Sequence, residues 1–447
     1  MEKNARPTTR FRWTIVAILC AVAFVLYVDR INISISVPYI ATEFGLSAQS
    51  VGNILSGFLF GYALGLIPGG WLADRFGPHR VLATAGVCWA ILTALAGCVR
   101  KEVFGHTFDV GTTLFVIRFL LGLAEACAFP TFACALANWM RRNERALASG
   151  LIHMGSNLGG IFAPLSTAFI VGHLGWRYSF LFSGVITLVA TAWWWLSATD
   201  NPSRHPRVSD NELRIIASEK EELTVERIDA AWYKRLARSR NAYMLCVSEV
   251  FYGLSGFVFI TWFYIYYSQV RGGGTFYSAV LTSLTYVGGA IGALVGGILC
   301  DRSLAKWGAP WGRRLVPLVA IVASGLCCIL APALHNNTAS GIVYALAAGL
   351  QYLAAPAFWA TVIDITRRGP GILGGLMNGS GNLGAAIGTI TFPWIVSHVG
   401  YQLALQLAGV AGLVAGLVWL LIDSSRGIDS TSGQTADTGF QRQYVRT

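Results

Sequence analysis

The strongest constraint on this chain is a series of twelve apolar stretches, each long enough to cross a membrane and each followed by a short polar or Gly/Pro segment. A helix needs roughly 20 apolar residues to span a bilayer core about 30 Å thick. Charged residues make up 12% of the sequence, against about 25% in soluble domains. We therefore predict an all-α membrane protein with twelve transmembrane helices, over residues 13–38, 48–72, 80–98, 112–137, 147–171, 177–198, 242–268, 276–300, 314–333, 339–362, 371–396 and 402–422.

Basic residues predict the orientation, because Lys and Arg near span ends stay on the cytoplasmic side. With both termini cytoplasmic, 27 of the 33 Lys and Arg residues lie inside, two lie within spans, and four lie outside: Arg100, Lys101, Arg177 and Arg271. The net charge of +11 then reflects topology and not nucleic-acid binding. The first apolar run is too long for a signal peptide and lacks a cleavage site. We expect a monomer, embedded by multiple passes in the lipid bilayer of a bacterial inner membrane.

The spans divide into two groups of six, an amino-terminal bundle (1–198) and a carboxyl-terminal bundle (242–425), joined by a cytoplasmic linker (199–241) and followed by a disordered tail (426–447). Within the linker, Ser209 and Glu212 have capping-box spacing and predict a short surface helix. The nine cysteines lie in predicted spans without metal-ligand spacing. We therefore expect neither a disulfide framework nor a bound metal or cofactor.

The two bundles are related by an internal repeat. A shift of 225 residues places "SGLIHMGSNLGG" (149–160) over "GGLMNGSGNLGA" (374–385), which aligns Asn157 with Asn382. A shift of 227 places "GGWLADR" (69–75) over "GGILCDR" (296–302). Because each copy holds six spans, the copies run parallel, and parallel halves are the plan of transporters whose binding site lies between them at mid-membrane.

Two pairs of charged residues lie inside predicted spans of the first bundle: Asp29 with Arg30 in "LYVDRINIS", and Arg118 with Glu125 in "RFLLGLAEA". Ionised groups inside a membrane are costly unless paired or hydrated, and they mark a path or a site by default. The alternative is a structural ion pair between spans one and four. A shift of 226 aligns Arg118 with Tyr344 and Glu125 with Gln351. This asymmetry favours a site with one ionic wall and one neutral, hydrogen-bonding wall.

The spacing of these charges indicates their roles. Adjacent helical residues point about 100° apart, so Asp29 and Arg30 face different partners, one the cavity and the other a neighbouring helix. Arg118 and Glu125 share a face about 10 Å apart along the axis, within reach of a side-chain link or a bridging water. Guanidinium groups match carboxylates in shape and charge. We therefore predict that the arginines bind an anion and that the acids carry protons.

These motifs resemble the major facilitator superfamily: "GGWLADRFGPHRVL" its signature between spans two and three, and "RFLLGLAEA" its fourth-span pattern. Together with "YVDR", they look more narrowly like its anion:cation symporter branch, which includes bacterial galactonate, hexuronate and glucarate transporters and vesicular glutamate and sialic acid carriers. The resemblance implies a major facilitator fold. It implies substrate-binding roles for Arg30, Tyr27, Tyr62 and Asn382, and proton-coupling roles for Asp29 and Glu125.

Two further sets of residues extend the predicted site. The repeat adds Asn157 to the predicted substrate contacts, with a buried interhelical hydrogen bond as the alternative. The charge pattern adds Arg118 and Gln351 to the same set. At the inner end of span two, Asp74 is placed to cap a neighbouring helix and to pair with a basic residue, which would close the inner side. We expect the same of the second copy, so that the gating residues are Asp74, Arg75, Asp301 and Arg302.

The sequence predicts a symporter that moves a small organic anion with protons by alternating access, with an aldonate or hexuronate sugar acid as substrate. The alternatives are an aromatic or dicarboxylic acid as substrate, and a sodium-driven or uniport mechanism. An enzyme is disfavoured because the spans contain no nucleophile–base or metal constellation, and His153 is isolated within its span. A channel would not need a two-fold repeat with gate motifs in both copies.

Overall fold

The computed structural model describes residues 9–103, 106–217, 228–272, 274–366 and 368–428. The helices are α1 (Phe11–Phe44), α2 (Ala48–Phe76), α3 (Pro78–Gly97), α4 (Val110–Ala126), α5 (Ala128–Trp139), α6 (Arg145–Leu174), α7 (Trp176–Ser197), α8 (Asp210–Ala217), α9 (Ala230–Arg238), α10 (Arg240–Phe257), α11 (Phe263–Ile265), α12 (Gly274–Trp307), α13 (Trp311–Leu330), α14 (Asn337–Ile365) and α15 (Pro370–Trp419). Short 3₁₀ turns lie at Arg142–Glu144, Pro202–Arg204 and Ala331–Ala333. A hairpin pairs β1 (Glu102–Val103) with β2 (His106–Thr107) in antiparallel register.

The predicted twelve-span, all-α architecture is confirmed. Ten helical stretches in the described residues are long and apolar enough to cross a membrane. One of them, α15, holds the eleventh and twelfth spans, which are separated at Gly400 by a backbone φ of 80° that favours glycine. The fourth span is α4 followed by α5. The seventh consists of α10, α11 and π-helical turns at Val258–Trp262 and Tyr266–Val270.

Glycines allow α2 and α4 to pack in backbone contact. A Cβ atom at Gly61 would lie within 1.9 Å of the Phe119 carbonyl oxygen, and one at Gly122 would lie 2.2 Å from the Phe58 carbonyl oxygen. Small residues are what allow membrane helices to approach this closely. The close packing positions Phe58 and Tyr62 of α2 beside the charged residues of α4.

The two bundles meet in two crossings that repeat each other, α2 on α15 and α6 on α12. A Cβ atom at Gly375 would lie 2.4 Å from the Leu66 carbonyl oxygen, and one at Gly150 would lie 2.4 Å from the Ala293 carbonyl oxygen. Shifts of 225 and 227 residues relate these pairs. The repeat predicted from the sequence is therefore also a repeat of interhelical contacts.

The linker contains the predicted surface helix, α8. The Ser209 hydroxyl accepts a hydrogen bond from the Glu212 N–H at 3.3 Å, as a cap requires. The Glu212 carboxylate does not close the predicted box; it accepts from the N–H groups of Phe11 and Arg12, both at 3.0 Å, at the start of α1. Residues 218–227 of the linker and 429–447 of the predicted tail lie outside the described residues, whereas the Ile428 N–H donates to the Ile365 carbonyl at 2.8 Å.

Candidate functional site

An ion pair joins α1 to α4 inside the amino-terminal bundle. Arg30 Nε donates to Glu125 Oε2 at 2.8 Å, with the Glu125 side chain fully buried and the Arg30 side chain 20% exposed. The predicted link between Glu125 and Arg118 is therefore replaced by one to Arg30. The reason is that the Arg118 guanidinium lies instead over the ring of Phe58, 4.6 Å from its centroid.

Aromatic rings surround the Arg30 guanidinium. Its Cζ atom lies 4.4 Å from the ring centroid of Tyr62, 5.3 Å from that of Phe58 and 5.5 Å from that of Tyr27. Both predicted tyrosines thus face Arg30. Sequence reasoning missed Phe58, although it lies four residues before Tyr62 and so on the same helical face. Such rings attract a cation and restrict its movement.

Several charged groups in this cluster have atoms without hydrogen-bond partners among the described residues. They are Arg30 Nη2, Arg118 Nε and Nη1, and Glu125 Oε1, all buried. Unsatisfied buried donors are costly, and each calls for an explanation. The unpaired guanidinium N–H groups are suited to binding the oxygens of an anion.

Asp29 faces away from this cluster. Its Oδ2 atom accepts from the Thr187 hydroxyl of α7 at 2.8 Å, and the residue is buried. One turn further along α1, Asn32 Nδ2 donates to the Ser183 hydroxyl at 3.1 Å. Asp29 and Arg30 therefore diverge as predicted, Arg30 towards α4 and Asp29 towards α7.

An amide from the carboxyl-terminal bundle contacts this site. Asn378 Nδ2 of α15 donates to the Tyr62 hydroxyl at 3.2 Å, so the two halves touch beside Arg30. The predicted Asn382 lies one turn later, and its Nδ2 atom donates to the Asn378 carbonyl at 2.8 Å and to Asn378 Oδ1 at 3.1 Å. Asn378 was not among the predicted residues, although it is an amide four residues before Asn382 and so lies on the same face of the same span.

The repeat-related residue Asn157 makes the same local contact as Asn382. Its Nδ2 atom donates to the His153 carbonyl, four residues earlier, at 2.9 Å. Its Oδ1 atom is buried without a partner among the described residues and lies 2.5 Å from the position of a Cβ atom at Gly289 of α12. Asn157 therefore lies at the interface between the bundles.

On the carboxyl-terminal side, Gln351 connects α14 to α10. Its Nε2 atom donates to the Tyr252 carbonyl at 2.8 Å, and the Tyr252 hydroxyl donates to the Gln351 carbonyl at 2.7 Å. Its amide is thus engaged with the backbone, and substrate contact by Gln351 stays a prediction. Nearby, the buried Oε2 atom of Glu249 has no partner among the described residues. This carboxyl group lies within the predicted seventh span but was not among the predicted site residues.

Two carboxylates connect the two halves at the linker side, the face of the bundle where α8 attaches to α1. Asp74 accepts from the N–H groups of Gly371 at 2.9 Å and Ile372 at 2.7 Å. Asp301 accepts from the N–H groups of Ala146 at 3.2 Å and Leu147 at 2.7 Å. Shifts of 227 and 225 residues relate the caps and the capped residues. Each half thus caps the start of a helix in the other half, where the helix dipole favours negative charge.

One of the two caps pairs with a basic residue among the described residues. Arg313 Nη1 donates to Asp301 Oδ1 at 2.8 Å, whereas Arg302, one of the predicted gating residues, is exposed. Adjacent residues on a helix diverge by about 100°, so Arg302 points away from the partner of Asp301. Asp74 accepts from the Cys134 thiol at 3.2 Å and pairs with no Lys or Arg within the described ranges. Arg75 is exposed and lies 5.1 Å from the ring centroid of Trp71.

Comparisons with known proteins agree with this architecture. The family model for the Major Facilitator Superfamily matches residues 19–370. The probable sulfoacetate transporter SauU of Cupriavidus necator is 30% identical over 423 residues, which cover 94% of this chain and 95% of that protein. The probable galactarate/D-glucarate transporter GudP of Escherichia coli is 30% identical over 433 residues, which cover 94% of this chain and 95% of that protein.

Solved structures show the same fold. The proton:xylose symporter XylE superposes with a TM-score of 0.72 at 16% identity, over 94% of this chain and 98% of XylE. The Escherichia coli fucose:proton symporter FucP superposes with a TM-score of 0.67 at 17% identity, over 92% of this chain and 98% of FucP. With the family model matched over most of the sequence and 30% identity to relatives along nearly the whole chain, the protein is a transporter of the major facilitator superfamily.

Proposed function

We propose that this transporter carries a small organic anion together with protons, and that the substrate is a sugar acid of the aldonate or hexuronate type. The observation that carries the proposal is the Arg30 guanidinium: Nε is bound to Glu125, Nη2 is unpaired, and tyrosine rings surround it. One guanidinium is therefore shared between a protein carboxylate and an anionic substrate. The tyrosine hydroxyls suit the hydroxyl groups of a sugar acid.

This sharing supplies a coupling mechanism. A proton on Glu125 removes the negative charge that holds Arg30, and the guanidinium can then donate two hydrogen bonds to the substrate carboxylate. Loss of the proton restores the pair and displaces the substrate. Binding of the anion and binding of the proton thus favour each other. A ligand shifts a conformational equilibrium only when its affinity differs between the two states. Arg118, with two unpaired N–H groups beside the shared Phe58 ring, provides a second anion contact.

Alternating access follows from the two helix caps. The linker side is closed while Asp74 caps α15 and Asp301 caps α6, and it opens when both caps separate. By the positive-inside rule we take this side to be cytoplasmic, in a bacterial inner membrane, with the protein acting as a monomer. Release of the substrate inside then requires both caps to break.

The relatives support an organic anion as substrate, since the names of SauU and GudP specify sulfoacetate and galactarate or D-glucarate. The names of XylE and FucP specify proton symport. A second candidate is a dicarboxylate, because two guanidinium groups keep unpaired N–H groups in one cluster. Galactarate and D-glucarate themselves carry two carboxylates.

Uptake by proteoliposomes tests this proposal. The panel contains labelled galactonate, glucuronate, galactarate, succinate, sulfoacetate and an aromatic acid, each under a pH gradient, a sodium gradient or neither. The proposal expects accumulation of a sugar acid under the pH gradient alone. Preference for succinate would favour the dicarboxylate alternative. Accumulation driven by sodium, or equilibration without accumulation, would contradict proton symport.

A further inference from the structure

We propose that the linker side carries a binding site for the phosphate headgroup of an anionic phospholipid. A cavity of about 670 Å³ lies between α9, the first residues of α10, the first residues of α13 and the segment after α15. We call it the basic cavity. Its lining includes one carboxylate, that of Asp423, and six cationic side chains: Lys234, Arg235, Arg238, Arg240, Arg314 and Arg426.

Most of this positive charge is not neutralised. Arg426 Nε pairs with Asp423 at 3.2 Å, and Arg235 approaches Asp229 at 3.9 Å. Lys234, Arg238 and Arg240 form no ion pair within the part of the chain that the structure describes. The basic cavity therefore has an excess of cationic groups that is available to a phosphate.

The walls of the basic cavity are held in place by hydrogen bonds. Asn241 Nδ2 donates to the Asp423 carbonyl at 2.7 Å, and the Asp423 N–H donates back to Asn241 Oδ1 at 3.0 Å. Arg314 Nε donates to the Ile422 carbonyl at 2.6 Å. These contacts fix the segment after α15 against the starts of α10 and α13, so the cavity is a formed feature and not a gap between loose chains.

The surroundings favour a lipid over a soluble anion. Leu421 lines the basic cavity and is 45% exposed, and Leu417 one turn away is 61% exposed. These side chains give an acyl chain an apolar surface that starts at the cationic wall. Exposed aromatic rings lie beside it, Tyr243 on α10 and Trp311 on α13, and such rings mark the membrane–water boundary.

The helix α9 completes the interfacial character of the site. It buries Trp232 and Leu236, while Lys234 and Arg238 are exposed. The apolar face of α9 packs on the protein, where a Cβ atom at Gly369 would lie 2.5 Å from the Trp232 ring, so its basic residues are turned outward. Basic pockets between transmembrane helices on the cytoplasmic side are suited to phospholipid headgroups. The inference does not depend on which substrate is transported.

Native mass spectrometry of the purified full-length protein tests the inference, with titration of phosphatidylglycerol, phosphatidylcholine of the same chain length, and inorganic phosphate. The test variant combines Lys234→Gln, Arg238→Gln and Arg240→Gln. A matched control removes three exposed linker arginines that do not line the cavity: Arg204→Gln, Arg207→Gln and Arg214→Gln. Thermal unfolding in neutral detergent verifies that both variants fold.

We expect saturable phosphatidylglycerol binding by the wild type, weakened about 100-fold in the test variant, because each basic residue near an anionic headgroup contributes roughly a fivefold factor. The control variant should stay within about threefold of the wild type, since its arginines lie outside the site. Equal binding of phosphatidylcholine, equal weakening in the control, or displacement of the lipid by equimolar inorganic phosphate would each overturn the proposal.

Discussion

Arg30 Nε and Glu125 Oε2 lie 2.8 Å apart, and this contact engages one edge of a guanidinium whose Nη2 atom is buried and has no partner among the described residues. In the mechanism that we propose, a protein carboxylate and an incoming anion meet at this one cation. The protonation of Glu125 and the binding of substrate are then not independent events.

Replacing Arg30 with lysine is expected to weaken substrate binding about 10- to 100-fold. The reason is that an ammonium group is a point charge and cannot make both of the charge-assisted hydrogen bonds that a guanidinium donates to a carboxylate. Binding of labelled substrate to purified protein measures the effect. The matched control is Arg177→Lys, at a surface pair with Glu43 whose atoms lie 2.7 Å apart, against 2.8 Å for Arg30 and Glu125. Unchanged affinity in Arg30→Lys would remove Arg30 from the site.

Asn378→Ala is expected to weaken substrate affinity more than Asn382→Ala. The Asn378 amide faces the amino-terminal half through Tyr62, whereas the Asn382 amide is bound to its own helix. We expect a loss of about tenfold for Asn378→Ala, the value of one hydrogen bond to a buried partner. The same binding assay compares the two, and a larger loss in Asn382→Ala would favour Asn382, the residue predicted from the sequence, as the substrate contact.

Asp74→Asn is expected to open the linker side, because an amide cannot accept from both N–H groups that the carboxylate now caps. Loss of a helix cap shifts a conformational equilibrium by about tenfold. Cys134 is a native reporter, since its buried thiol donates to Asp74. Its alkylation rate, followed by peptide mapping, should rise in parallel with the opening.

The second cap provides a symmetric check on the first. Asp301→Asn should expose Cys300, which is buried beside Arg313. Asp210→Asn, on the exposed start of α8, is the matched control and should alter neither rate. If neither thiol becomes more reactive in its own variant, both aspartates are helix caps without a gating role.

Asp29→Asn is expected to reduce proton-driven accumulation while substrate affinity stays within about threefold of the wild type. The reason is that Asp29 contacts Thr187 of α7 and not the Arg30 guanidinium. Parallel binding and uptake assays separate the two effects. A loss of affinity as large as that of Arg30→Lys would show that Asp29 orients Arg30 after all.

The positions of the spans were predictable, because hydropathy and length are local properties of the sequence. The break between the last two spans was also predicted correctly, at residues 397–401, where Gly400 departs from helical geometry. The π-helical turns in the seventh span had no sequence signal that we recognise.

The partners of the buried charges were less predictable. Spacing along α4 suggested that Arg118 and Glu125 interact, but the close glycine packing of α2 on α4 brings Phe58 beneath Arg118. Glu125 therefore forms its ion pair with Arg30 of α1. Similarly, the basic partner of Asp301 could not be named from the sequence, because Arg313 reaches it from the next helix. Such pairings depend on tertiary packing, which no local pattern encodes.

The most direct test of the coupling mechanism is transport by Glu125→Gln, which mimics the protonated acid. Exchange of labelled for unlabelled substrate across proteoliposomes is compared with accumulation under an inward proton gradient. The control is Glu43→Gln, at an exposed glutamate of α1 that also pairs with an arginine, Arg177. Glu43→Gln should leave both activities unchanged.

The account predicts that Glu125→Gln keeps exchange, because Arg30 is free to bind substrate, and loses accumulation, because no proton is released at this position. Glu249→Gln, at a carboxyl group whose buried Oε2 atom has no hydrogen-bond partner in the described part of the chain, should be less impaired in accumulation than Glu125→Gln. Accumulation at the wild-type level by Glu125→Gln would contradict the account, above all if Glu249→Gln abolished accumulation.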